Sequence, residues 1–225
     1  MIDTSNWSYL YKTVDGNKTC TTNLLYTPLI NPDKTILCML WDAESEYQQN
    51  RNLTEDLIDF FFEREIASLV HFQGTPWTPK LIGYSKTNRQ IFIEWNDKSL
   101  NQIIFDDNNL DEVCPDWKDQ LLIILKDIVS SGYYKLSLYP HCFYLDKNKK
   151  IKTIDYYGCV DSGDPYIERS KIEGMIGNDS FGRFDEATED GMVNFEKFFK
   201  RTLSTYLSKS WPDNPFENIY KQLYD

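Results

Sequence analysis

Residues 54 to 79 constrain the fold most. Thr54-Glu55-Asp56 supplies a capping hydroxyl and two acids for the first turn of a helix. Leu57, Ile58, Phe61, Phe62, Ile66, Leu69 and Val70 then recur three and four residues apart, on one helix face. GTPWTP, residues 74 to 79, cannot continue that helix. The spacing predicts a helix over 54–72 with one strongly apolar side, and such a side must be buried against another layer.

The flanking segments supply the layer as strands. NWSYLYKTV, TTNLLYTPLI and KTILCMLWD are separated by the turn signals Asp15-Gly16-Asn17 and Asn31-Pro32-Asp33. After the helix, KLIGYS and RQIFIEW are two short strands joined by Lys86-Thr87-Asn88. Beyond Trp95 the pattern turns helical. NDKSLNQIIF reads as a turn and short helix, DDNNLDEVCPD as a polar connector, and WKDQLLIILKDIVSSG as a largely buried helix closed by Gly132. Residues 161–187 read as a long charged loop, and EDGMVNFEKFFKRTLSTYLSK as a second amphipathic helix. The expected class is α+β in two lobes: a strand-rich N-lobe over 1–95 with one long helix, and a reduced helical C-lobe over 96–225.

With 225 residues, 41% of them hydrophobic and 15% aromatic, the chain has ample material for a packed interior. A net charge of −11 argues against nucleic acid as a partner, because phosphate binding wants a basic face. No apolar run approaches the ~20 residues of a membrane span, and MIDTSNWSYLYK lacks the basic-then-apolar order of a signal peptide. Cys20, Cys38, Cys114, Cys142 and Cys159 are odd in number and irregularly spaced, which fits reduced thiols and a cytoplasmic location. The sequons at Asn6, Asn17, Asn52 and Asn178 then read as chance matches.

YKLSLYPHCFYLDKNKKIKTIDYYG, residues 134–158, resembles the catalytic loop and metal-binding segment of protein kinases. EREI through LIGY (63–84) resembles the kinase helix C and the strand after it, and IFIEWND (91–97) the strand leading into the hinge. The resemblance implies that Glu65 would face a strand lysine, that hinge backbone at Glu94 and Trp95 would hold adenine, and that Asp155 would hold magnesium. In its general character the chain is similar to small kinase-like proteins encoded by T4-like marine bacteriophages, which would make its partner a host protein.

The departures matter as much. There is no G-x-G-x-x-G, and ILCMLW (36–41) puts Met39 where the lysine of active kinases stands. Lys135-Leu136-Ser137 replaces His-Arg-Asp, Cys142 replaces the magnesium-binding Asn, and the glycine after Asp155 comes one residue late. Phosphoryl transfer needs positive charge and an acceptor-orienting base, and magnesium prefers hard oxygen donors to thiols. Ordinary transfer is therefore expected to be lost at Met39, Ser137 and Cys142.

Away from the resemblance, Asp155 also reads as a turn residue capping backbone amides, and Glu65 as a surface helix acid. Glu94 reads as an exposed strand-end acid. His141 and Cys142, being adjacent, would point to opposite faces, and with His71 the only other histidine no zinc spacing exists. The tyrosines 133, 134, 139, 144, 156 and 157 suggest either a protein-contact surface or a cleft filled by its own side chains. Three functions remain open. The first is a pseudokinase that binds another protein, without membrane or nucleic acid. The second is an atypical phosphotransferase using ATP, magnesium on Asp155 and a lysine recruited from Lys34 or Lys135. The third is a nucleotide-binding regulator without turnover. A lysine ammonium beside Glu65, with a second carboxylate sharing a cation with Asp155, would overturn the idea behind the first, that neutral groups have replaced the charged ones.

Overall fold

The structure, a computed structural model, describes residues 2–10, 26–42, 54–95, 99–100, 103, 110–135 and 142–161. Strand β1 (Ser8–Tyr9), β2 (Thr27–Ile30) and β3 (Ile36–Leu40) precede helix α1 (Glu55–His71), which is followed by β4 (Leu81–Ser85) and β5 (Gln90–Glu94). The five strands form one antiparallel sheet in the order β1-β2-β3-β5-β4. A one-turn helix α2 (Leu110–Val113) and the longer α3 (Trp117–Ser130) come next. They lead to β6 (Tyr133–Lys135), β7 (Phe143–Leu145), β8 (Ile151–Thr153), a 3₁₀ turn at Tyr156–Gly158 and β9 (Cys159–Asp161). The β7 and β8 strands form a hairpin, and β6 pairs with β9.

Alternation along β3 and β5 decides what the sheet buries. Leu37 pairs with Ile93 and Met39 with Ile91, and all four join the core cluster with Leu57, Phe61 and Leu69 of α1. Cys38 pairs with Phe92 on the opposite face, where Trp7 packs edge-on against Phe92 at 5.9 Å. The β2–β3 turn is held by Asn31, whose Oδ1 accepts from the amides of Thr35 and Ile36 at 2.8 Å each.

Helix α1 starts and stops where its sequence dictates. The Thr54 hydroxyl accepts from Leu57 N at 3.4 Å, and the Phe72 amide closes the far end on Ser68 and Val70. Two expectations for its faces are corrected. Val70 is 56% exposed, whereas Glu65 is fully buried. The stripe Ile58, Phe62, Glu65, Leu69 has regular helical spacing, so position 65 lies on the buried side whatever its chemistry. Arg89, in the β4–β5 turn, clamps the start of α1 by pairing with Asp59 at 2.7 Å and with Glu55.

The breaker segment is the seam of the molecule. After Gly74, at φ +96, Trp77 donates its indole proton to Asp127 of α3 at 2.9 Å, and its carbonyl accepts from Thr153 of β8 at 2.9 Å. Lys152 donates to the Pro76 carbonyl at 2.7 Å, and Thr78 bonds the Tyr156 hydroxyl at 3.0 Å. The supposed polar connector contains α2, with Leu110 and Cys114 buried. The Asp15–Asn17 turn, the 161–187 loop and the second amphipathic helix lie outside the described residues.

Truncating Phe61, at 0% exposure, to alanine should cost about 3–5 kcal/mol. Val70→Ala should stay within about 0.5 kcal/mol. Urea unfolding of the two variants measures both, and equal midpoints would contradict this assignment of the helix faces.

Candidate functional site

The site is built around the turn that follows β8. Asp155 has φ 62 and ψ 53, a left-handed conformation uncommon for residues other than glycine. Lys135 holds it there. Its Nζ donates to the carbonyls of Ile154 at 2.6 Å and of Asp155 at 2.8 Å. The ammonium is fully buried and lies over the rings of Tyr156, 5.1 Å from the centroid, and Phe143, at 6.0 Å.

The Asp155 carboxylate is also at 0% exposure. Tyr26 donates its hydroxyl to Oδ1 at 2.5 Å, and the Cys142 thiol hydrogen-bonds the same carboxylate. The side chain makes no cap to the following turn, so the capping expectation is corrected. Burial raises the Asp155 pKa, against the opposing pull of Lys135, Tyr26 and Cys142.

Glu65 enters from α1. Its Oε2 accepts from the Tyr157 amide at 2.7 Å, while Oε1 has no hydrogen-bond partner among the described residues. Burial, and next the nearby Asp155 charge, push its pKa from 4.5 to about 8; Lys135 pulls the other way. The neighbouring Arg64 donates to the Cys159 carbonyl. Consecutive helix residues thus both grip the 156–159 segment, and the surface reading of Glu65 is corrected by its burial.

Aromatic rings fill the surrounding space. Tyr26 packs on Trp41 at 5.3 Å, and Trp41 and Phe61 meet Tyr157 edge-on at 6.0 and 5.8 Å. Met39, at the position of the kinase lysine, is fully buried in the core. Lys34 is exposed in the β2–β3 turn with φ 55. Ser137, His141 and Tyr139 lie outside the described residues.

At the segment resembling a hinge, the backbone is already engaged. The Glu94 amide donates to Lys80 O at 2.9 Å, and its carbonyl accepts from the Tyr144 hydroxyl at 3.1 Å. The Trp95 amide donates to Thr35 O at 2.8 Å, and its ring lies on that of Tyr144, with centroids 4.4 Å apart. Tyr144, Tyr156 and Tyr157 are buried and Tyr133 is half-buried. Of the two expectations for the tyrosines, these four therefore fit the filled cleft and not an exposed contact surface.

A site for ATP and magnesium does not fit these residues as arranged. Asp155 is sealed, Cys142 offers a soft thiol already turned to that carboxylate, and the Glu94 carbonyl and amide are both taken. The anticipated loss of charge is nevertheless corrected in one respect: Lys135 stands within electrostatic reach of both Glu65 and Asp155. A lysine is thus present near Glu65, but its ammonium is spent on two backbone carbonyls. Tyr26 and Tyr144 were not anticipated in these roles. Their partners lie 129 and 50 residues away, and no local pattern announces them.

No protein-family model matches this chain, and no curated protein matches its sequence. Solved structures do. WbdD, a bifunctional kinase-methyltransferase, in complex with the kinase inhibitor LY294002, aligns with a TM-score of 0.51 and 14% identity, over 88% of this chain and 44% of its own. Monomeric WbdD gives 0.52 and 11% identity, over 88% and 45%. This chain spans less than half the length of WbdD. At such identities the likeness is one of fold alone: the sheet and helix α1 have the arrangement of a kinase-like N-lobe.

Because the folded pKa of Glu65 lies above its unfolded value, the native state holds the extra proton between pH 4.5 and about 8. Stability contributed by that proton is present below this window and lost as pH rises through it. Glu65→Gln should retain the bond to Tyr157 and remove the Glu65 contribution to the slope, which is at most about 1.4 kcal/mol per pH unit. Urea unfolding of both proteins from pH 5 to 8 tests this, and parallel pH profiles would refute it.

Proposed function

We propose that this chain is a kinase-like protein of two lobes, divided near residue 95, that has lost ordinary phosphotransfer and acts by binding another protein. One observation carries the reading. Asp155, the metal position that survives by resemblance, is sealed at 0% exposure, with its carboxylate bonded by Tyr26 and Cys142. A carboxylate so buried must first be opened to solvent before it can meet a cation. The filled space at Trp95 and Tyr144 supports the same reading, because the adenine of an active kinase would need the Glu94 backbone.

The partner is a protein, in the cytoplasm, and a host protein if the likeness to phage-encoded kinase-like proteins holds. A second reading draws on Lys135. An atypical phosphotransferase could use that ammonium with Asp155 if the β6 segment moved and freed it from the two carbonyls. A nucleotide-sensing regulator would need the same opening without turnover.

Thermal melting with ATP and magnesium distinguishes them. The expected result is an unchanged Tm together with no phosphate release. A rise in Tm that disappears in Asp155→Ala would overturn the pseudokinase reading, and accompanying phosphate release would select the phosphotransferase.

A further inference from the structure

A buried lysine demands an account that the loss of phosphotransfer does not provide. Lys135 carries three N–H donors and no acceptor. Two donors go to the Ile154 and Asp155 carbonyls, at 2.6 and 2.8 Å. The ammonium is wholly removed from water and faces the Tyr156 ring. Both carboxylates of the centre, from α1 and from the turn after β8, are buried within its field. Two buried acids beside one another repel, and neither can be ionised cheaply without a cation.

We propose that Lys135 is the resident cation of this centre: its ammonium pins the peptide carbonyls flanking Asp155 and compensates the Asp155–Glu65 pair, so that the centre is complete without a metal ion. The proposal rests on the pseudokinase reading and deepens it. In a metal-dependent site the carboxylate faces an open cavity and the cation arrives from solvent. Here the cation is covalently part of β6, and the ordering entropy of capturing it has already been met in folding. The same ammonium explains the backbone. A left-handed aspartate is unfavourable in isolation, and the bonds from Lys135 to the carbonyls on either side of the Asp155 Cα hold it in that well. Glu65 is held on the same turn by the Tyr157 amide.

The test uses the full chain at pH 7. K135M keeps the length and apolar stem of the side chain and removes the charge. It leaves two buried acids uncompensated, and Tm should fall by roughly 10 °C. The triple variant K135M/E65Q/D155N removes the charges together and should recover at least half of that loss. Magnesium or manganese chloride alone, at millimolar concentration, should leave the wild-type Tm unchanged. A triple variant melting no higher than K135M, or a wild type stabilised by either metal alone, would overturn the proposal. If K135M does not fold, a folded triple variant supports the proposal and an unfolded one overturns it. These outcomes are separable from failure of the pseudokinase reading: stabilisation by ATP with magnesium, but not by metal alone, would sink that reading and leave the role of Lys135 standing.

Discussion

An ammonium in the interior has to be met on every side, and at Lys135 that requirement organises the centre of the molecule. Effective burial of one such ion costs several kcal/mol even after relaxation. Hydrogen bonds from a charged group return about 1.5–3 kcal/mol each, so the two carbonyls at 2.6 and 2.8 Å offset much of the cost. Carboxylates and aromatic faces supply the rest. Because these partners come from α1, from β7 and from the turn after β8, the charge ties β6 to all three.

Helix α1 is the second member of that unit. Its apolar side builds the core of the sheet, while Arg64 and Glu65 both reach the 156–159 segment. At its end, the Trp77 corner is bonded to α3 and to β8. A helix held at both its middle and its exit has little freedom to swing relative to the turn it contacts. Movement of α1 as a switch would break the Glu65–Tyr157 bond and expose a buried carboxyl, so this contact favours a single fixed position.

The elements were legible because their periods are. Apolar spacing of three and four announced α1 and α3, and alternation announced β3 and β5, each bounded by Gly, Pro or Asn. Glu65 shows where that reading fails: its spacing placed it on the buried stripe, but its charge argued for the surface, and the spacing won because Tyr157 offered an amide. The one-turn α2 escaped notice since four residues, Leu110–Val113, carry too little periodicity. Most of the site was not legible. The Tyr26–Asp155 and Tyr144–Glu94 bonds join residues that only the finished fold brings together, and the left-handed turn at Asp155 depends on a lysine twenty positions earlier. The resemblance pointed to Asp155 and Glu65, and it did not point to Tyr26 or Tyr144.

Two separate fillings stand between this fold and a nucleotide. One is the sealed carboxylate at Asp155; the other is the Tyr144 ring stacked on Trp95, with its hydroxyl on the Glu94 carbonyl. A ligand needing both places must select a state in which both have opened, and its apparent affinity falls by the population of that state. If the two openings together cost about 4 kcal/mol, the competent fraction is about one in a thousand, and a micromolar intrinsic affinity becomes millimolar. The kinase-like sheet and helix thus have interior contacts made by the chain's own tyrosines, tryptophans and one lysine.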